Sequence, residues 1–323
     1  MTSSEKQLID YTLNADTAIE LEIPFSSGGA RLDSALAFLM PDYSRSRIQE
    51  WIKQSLVLVN GRALGVKDKV WGGEKIQVYP EPNPAELPAL PEDISLNIVY
   101  EDDSLLVLNK PVGLVVHPGS GNWQGTLLNA LLFYFPAITH IPRAGIVHRL
   151  DKDTSGLMVV AKTLTAQTHL VRQLQTRTVK REYLAITQGV VMQDGVIDAP
   201  IGRHPSNRIK MAVVPNGREA VTRYAVVRRF AKYSLVRCTL ETGRTHQIRV
   251  HMLSIGHPLV GDTTYHRAQN SALPCVRDFP RQALHATQLG LVHPVTEENM
   301  VWQVDPPADF SELLICLEEA ESL

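Results

Sequence analysis

The chain has 323 residues, 44% apolar and 20% charged, with a formal net charge of -2. That length favours about two domains over a single core, and the apolar share excludes a disordered chain. Near-neutral charge excludes a global electrostatic signature of nucleic-acid binding, so any such role must rest on local clusters of Lys and Arg.

Residues 1–18 show no periodicity and read as a flexible tail. Leu32, Ala35, Leu36 and Leu39 recur at helical spacing, and Pro41 ends that helix. Ser44 is a suitable N-cap for a second helix with Ile48, Trp51 and Ile52 on one face. Residues 57–59 and 75–79 read as strands, with turns at Asn60-Gly61 and Gly72-Gly73. Residues 19–79 therefore form a small α/β module. Prolines at 80, 82, 84, 88 and 91 make residues 80–91 a semi-rigid linker. In residues 92–323 the pattern predicts strands at 105–108, 146–147, 157–160, 183–186, 221–227, 234–240 and 289–292. Helices are predicted near 126–133, 164–175 and 245–253, and from 310 onward. This irregular order points to an α+β domain on a mixed, mainly antiparallel sheet with flanking helices and loops.

No apolar run approaches the ~20 residues of a membrane helix, and the polar start of the chain lacks a signal-peptide pattern. Cys238, Cys275 and Cys316 are far apart and show no CxxC spacing, so they read as unpaired thiols in a reducing compartment. The expectation is a soluble, cytoplasmic protein.

The densest polar segment runs from Gly145 to Met158. The pair Ile146-Val147 leads into His148-Arg149-Leu150-Asp151-Lys152-Asp153, and Ser155-Gly156 reads as a turn before the next strand. Charged loops between buried strands commonly carry sites. From the residues alone, Asp151 and Asp153 are either a carboxylate pair for glycosidic chemistry or part of a solvated turn. A second segment runs from Glu241 to His251. Helical spacing groups Thr245, Ile248, Arg249 and Met252, with Arg244 near the helix start. A buried Arg there could fix a carboxylate through its planar fork; the plain alternative is a solvated helix face. On one helix His246 and His251 would point about 140° apart, and no acidic or cysteine partner has ligand spacing, so no metal is expected. Tyr183, in Lys180-Arg181-Glu182-Tyr183, is either a core aromatic or a base-stacking residue. Arg203, Arg208 and Lys210 sit in a loop with Pro and Asn, and Arg45, Arg47 and Lys53 lie on or beside the second helix of the small module. Both groups could meet phosphate or simply face water.

Together and in this order, these segments resemble the RNA pseudouridine synthases, most closely the branch acting on large-subunit ribosomal RNA. His148 to Leu157 resembles the nucleophile motif. Glu101-Asp102-Asp103, Leu108-Asn109-Lys110-Pro111 and His117-Pro118-Gly119 resemble the opening motif. Lys180 to Tyr183, Gly243 to His251, Gly256 to Asp262 and Leu284-His285-Ala286 resemble later ones. Residues 31–79, with Ser44-Arg45-Ser46-Arg47 and Val59-Asn60-Gly61, are similar to an RNA-binding module also found in a small-subunit ribosomal protein and tyrosyl-tRNA synthetase.

The resemblance implies an isomerase converting uridine to pseudouridine in 23S ribosomal RNA, free or as a large-subunit precursor, by a monomer with no cofactor. It implies Asp151 as nucleophile and Arg249 as its ion-pair partner. Tyr183 would stack on the uracil and relay the C5 proton, and Arg149 would displace the target nucleotide. His148, Arg244, His246 and Gln247 would be supports or RNA contacts, and Asp153 structural. His266, after Tyr265, departs from the glycine relatives often carry, and the tail after Phe310 is short; both bear on target choice. Two competing classes remain open at this point: a non-catalytic RNA-binding assembly protein, and a hydrolytic glycosidase using Asp151 with Asp153.

Overall fold

The computed structural model describes residues 18–81, 88–119, 121–207, 209–266 and 271–321. Residues 1–17 of the expected tail (1–18), the middle of the expected linker (82–87) and Arg208 lie outside the described residues. The chain divides into two compact units at Pro88/Ala89.

In the first unit, β1 (Ile19–Glu22), β2 (Val57–Val59), β3 (Arg62–Ala63) and β4 (Lys75–Val78) form an antiparallel sheet in the order β1-β4-β2-β3. Two helices, α1 (Leu32–Leu39) and α2 (Arg45–Lys53), lay Leu32, Leu36, Ile48 and Trp51 against Val57 and Ile76. The Ser44 hydroxyl accepts the Arg47 N–H at 3.3 Å and starts α2. Asn60 and Gly61 both take positive φ, 49° and 75°, as the tight hairpin between β2 and β3 requires. The strand β1 escapes pattern reading because no residue in it is fully buried.

The second unit contains β5 (Ile98–Glu101), β6 (Leu105–Lys110), α3 (Leu127–Tyr134), β7 (Ser155–Ala161), α4 (Leu164–Gln175), β8 (Lys180–Gln188), β9 (Gly195–Asp198) and the hairpin β10 (Ile201–Arg203) and β11 (Met211–Val213). It continues with β12 (Val221–Arg229), β13 (Tyr233–Leu240), α5 (Gln247–Ser254), α6 (Pro274–Arg277), β14 (Leu284–Val292), β15 (Asn299–Gln303) and α7 (Ala308–Glu319). The large sheet runs β5-β6-β7-β14-β8-β13-β12-β9, with β15 also on β14. Its strand pairs are antiparallel except β7 with β14. The fold is α+β on a mixed, mainly antiparallel sheet. The continuous apolar runs of β6 and β7 reflect burial on both faces. Leu105, Val107, Leu157 and Val159 pack toward α4, while Leu106, Leu108, Met158 and Val160 pack with α3.

Three local expectations are corrected. Residues 146–147 are not a strand: the chain before them is a tight turn with positive φ at Arg143, Ala144 and Gly145, and only Ile146 makes an isolated bridge, to Val160. Ser155-Gly156 is not a turn but the start of β7. Gly156 holds φ at 116° there, and a Cβ on it would lie 2.2 Å from the Ala286 carbonyl oxygen, so the strand reaches β14 only without a side chain. Cys275 and Cys316 are not unpaired thiols. α6 and α7 share one core through Val276, Phe310 and Leu313, which brings the two cysteines into a disulfide with Cα atoms 6.7 Å apart. Cys238 is free and buried, and burial pushes its thiol up to about 12.

Candidate active site

A cleft of about 970 Å³ opens in the second unit between the segment before β7 and the segment that leads into α5. The segment around Asp151 is held from several elements. Lys110, fully buried at the end of β6, donates to the carbonyls of Pro111 (2.8 Å), Leu114 (2.9 Å) and Lys152 (2.9 Å). Burial pulls its ammonium down to about 7, against the charges of Asp153 and Asp151. Arg281 donates to the Asp153 carbonyl at 3.2 Å, and Gln282 to the Thr154 hydroxyl at 3.1 Å. Asp151 is thus displayed from a loop whose next three residues are each tied to the fold, which fixes the carboxylate before any ligand arrives.

The partner of that carboxylate comes from α5. His246 takes the left-handed conformation (φ 57°) and precedes the helix, so Thr245 lies outside it. Arg249, 5% exposed, donates from Nη1 to Asp151 Oδ2 at 3.0 Å. Its Nε and Nη2 donate to the two oxygens of Asp262 at 2.7 and 2.9 Å. Asp262 is buried and also accepts the N–H groups of Thr264 and Tyr265, both at 2.9 Å. Burial alone would lower the Arg249 guanidinium; the hydrogen bonds and charge of Asp262, with Asp151 adding, raise it instead. Beneath it lies the Tyr265 ring, 4.9 Å from the guanidinium carbon. The Tyr265 hydroxyl accepts the Met211 N–H at 2.7 Å and bonds His246 Nδ1 at 2.8 Å. His246 Nε2 stands 3.8 Å from the other oxygen of Asp151. A carboxylate facing a fixed cation inside a cleft can attack an electron-poor carbon or stabilise a cationic one.

Tyr183 on β8 lines the cleft from its buried wall. Burial, with the Asp151 charge adding and the Arg181 charge opposing, pushes its phenol up to about 12, so it stays protonated near neutrality. Arg149 and Arg244 also line the cleft; Arg149 is exposed, and Arg244 donates to the Glu219 carbonyl at 2.9 Å.

Several other expected contacts also bond within the protein. Gln247 is 3% exposed. Its oxygen accepts from the Thr242 hydroxyl (2.7 Å) and the Arg244 N–H (2.9 Å), and its nitrogen donates to Val221 O and Thr222 Oγ1, both at 3.0 Å. Its amide is thus engaged within the fold instead of being offered to RNA. Arg45 donates to Asp33 (3.0 Å) and Ser34 (2.8 Å), and Arg47 donates to the Glu81 carbonyl and lies over the Trp51 ring, while Lys53 is exposed. Arg203 and Lys210 belong to the β10–β11 hairpin and do not line the cleft. Among the described residues, no group of three or more His, Cys, Asp or Glu could hold a metal ion. His251 bonds Thr222 Oγ1 and Ala199 O, both at 2.9 Å.

Pattern reading missed Asp262 and Lys110, which appeared only as letters of motifs, and Tyr265, which appeared only as the neighbour of His266. No spacing rule links an Asp in a loop to an Arg thirteen residues earlier, and a lysine ending a strand ordinarily reads as exposed.

His148 carries a testable consequence. Its Nε2 accepts the Val159 N–H at 3.1 Å, which needs a neutral ring, and burial with the Arg181 charge lowers it to about 3. Between pH 6.5 and about 3 the unfolded chain binds a proton here that the folded chain refuses. Stability from this group is therefore complete above pH 6.5 and drains away as pH falls. In urea unfolding from pH 7 to 4, His148→Gln should lose stability less steeply than wild type. Parallel curves would show that His148 does not couple to pH.

The sequence model of the RNA pseudouridylate synthase family matches residues 104–254, and that of the S4 domain matches residues 30–76. "Ribosomal large subunit pseudouridine synthase D" of Nitrosomonas europaea is 55% identical over 301 residues, covering 93% of this chain and 88% of that protein. Its namesake in Pasteurella multocida is 54% identical over 312 residues, covering 94% and 96%. Among solved structures, Human RNA Pseudouridylate Synthase Domain Containing 1 aligns with a TM-score of 0.55 and 29% identity, covering 69% of this chain and 87% of that one. With these matches spanning both units and the cleft, the chain belongs to the RNA pseudouridine synthase family.

Proposed function

We propose that this protein isomerises uridines to pseudouridine in large-subunit ribosomal RNA, within the 23S stem-loop at the subunit interface (helix 69), with Asp151 as nucleophile. The observation that carries the reading is the Asp151–Arg249 pair at 3.0 Å on the wall of a cleft large enough for a nucleotide. The relatives named for the large ribosomal subunit support the substrate class.

In this mechanism the target uridine is extruded into the cleft, at a cost of a few kcal/mol that is least in a loop, with Arg149 at the rim occupying the space it leaves. Asp151 attacks C1′ as the N1–C1′ bond breaks, and Arg249 keeps the carboxylate charged and aimed. The uracil turns beside Tyr183, C5 bonds to C1′, and Asp151 is released. A proton leaves C5, by way of the Tyr183 hydroxyl, and one returns to N1. Nothing is oxidised and nothing hydrolysed, so no cofactor enters.

The S4 unit would hold the surrounding RNA through the exposed faces of Lys53, Arg45 and Arg47. Incubation with 23S rRNA, chemical tagging of pseudouridine and assay for free uracil tests this. Tagged sites in the intersubunit stem-loop without free base are expected. Free uracil would make the protein a glycosidase, and unchanged nucleosides a binding protein.

A further inference from the structure

Three arginines of the second unit are deeply buried: Arg181, Arg249 and Arg281. Arg249 pairs with Asp262 and Asp151, and Arg281 pairs with Asp309. Among the described residues Arg181 has no carboxylate partner. Its Nε has no hydrogen-bond partner, and its Nη2 reaches only the carbonyls of Leu240 (3.5 Å) and Glu241 (3.3 Å). A buried cation without its counter-charge is unfavourable unless an anion from outside completes it.

Arg181 lines the same cleft as Asp151 and Tyr183. It lies two residues before Tyr183 on β8, hence on the same strand face and roughly 6.6 Å along it. Opposite it is Gly243, where a Cβ would stand 2.8 Å from Arg181 Nη1. Any side chain at residue 243 would crowd the guanidinium. Tyr183 lies within reach of both charges, the carboxylate of Asp151 and the guanidinium of Arg181. A uracil beside Tyr183, with its sugar at Asp151, would present its far edge toward Arg181.

We propose that Arg181 is a catalytic residue that donates hydrogen bonds to the departing uracil and receives its negative charge. The inference rests on the reaction proposed above. When the N1–C1′ bond breaks, its electron pair leaves with the base, and the charge spreads over N1, O2 and O4 while Asp151 bonds to C1′. Arg181 holds that anion at O2 or O4. When C5 bonds to C1′, Asp151 leaves, C5 loses its proton and N1 regains one, and the charge at Arg181 is discharged. A fixed donor aimed at charge that develops in the reaction lowers the barrier without tightening substrate binding.

The test compares single-turnover rates of wild type, Arg181→Met and Arg181→Lys on one stem-loop RNA carrying either uridine or 5-fluorouridine, whose base departs as a more stable anion; because fluorine replaces the C5 proton, the rejoined C5–C1′ adduct takes up water at C6 instead of losing that proton, so the rate read for both RNAs is the disappearance of the starting nucleoside. RNA affinity is measured alongside by filter binding. R181M should slow the uridine reaction by about 10²-fold, keep RNA affinity within about two-fold, and show a defect at least about ten-fold smaller on 5-fluorouridine. R181K, which retains the charge, should keep at least about a tenth of the wild-type rate. Equal defects on both substrates would overturn the proposal, as would weakened affinity with an unchanged rate at saturation, which would make Arg181 a phosphate contact. If R181M does not fold, R181K decides alone, and a loss of about 10²-fold equal on both substrates overturns it. Failure of the underlying reaction would look different: wild type would then leave both RNAs unchanged.

Discussion

Asp151→Ala is expected to abolish pseudouridine formation, by on the order of 10⁴-fold or more, as removal of a nucleophile does elsewhere, while the protein stays folded and RNA-competent. The geometry separates these effects. The Asp151 side chain is 16% exposed and meets Arg249 through Nη1 only, whereas Nε and Nη2 remain on Asp262. Removing Asp151 therefore leaves Arg249 paired and Asp262 satisfied. The stability change should stay within about 1 kcal/mol, and RNA affinity within a few-fold, since the cationic rim is untouched. Single-turnover assays, urea unfolding and filter binding read the three quantities. Substantial turnover would remove Asp151 from its role.

Arg249→Ala should behave differently, losing rate and stability together. Arg249 serves two carboxylates, and the Asp262 side chain is fully buried. Without the guanidinium, Asp262 keeps only the N–H groups of Thr264 and Tyr265 against its charge. Breaking a buried pair from one side costs about 3–5 kcal/mol. The double variant Arg249→Met with Asp262→Asn removes both charges and should recover much of that stability while remaining inactive. Urea unfolding of the single and double variants measures the difference. If R249A is as stable as wild type, Asp262 does not depend on Arg249.

These two residues mark how far the sequence could be read. The loop from His148 to Thr154 and the helix carrying Arg249 were legible because each is a local motif between apolar runs of clear period. The central strands β6 and β7 were legible too, because burial on both faces writes a nearly unbroken apolar run. What stayed hidden depends on contacts across the fold. Asp262 faces Arg249 only because the loop after α5 folds back beneath it. Lys110 looks like a surface residue until three carbonyls converge on its ammonium. Cys275 and Cys316 meet because two helices share one core. Short strands such as β9, β11 and β15, exposed or half-buried at most positions, carry too little pattern to be seen. Gln247 was open in the sequence between a support and a nucleic-acid contact, and its amide holds the start of α5 against β12.

The most direct test is a crystal structure of the Asp151→Asn variant bound to the 23S stem-loop RNA. The account predicts one uridine extruded into the cleft, its base beside Tyr183 and its C1′ about 3–3.5 Å from the side chain of residue 151. A target uridine still stacked in the RNA helix, or an extruded base lodged away from residues 151 and 249, would contradict it.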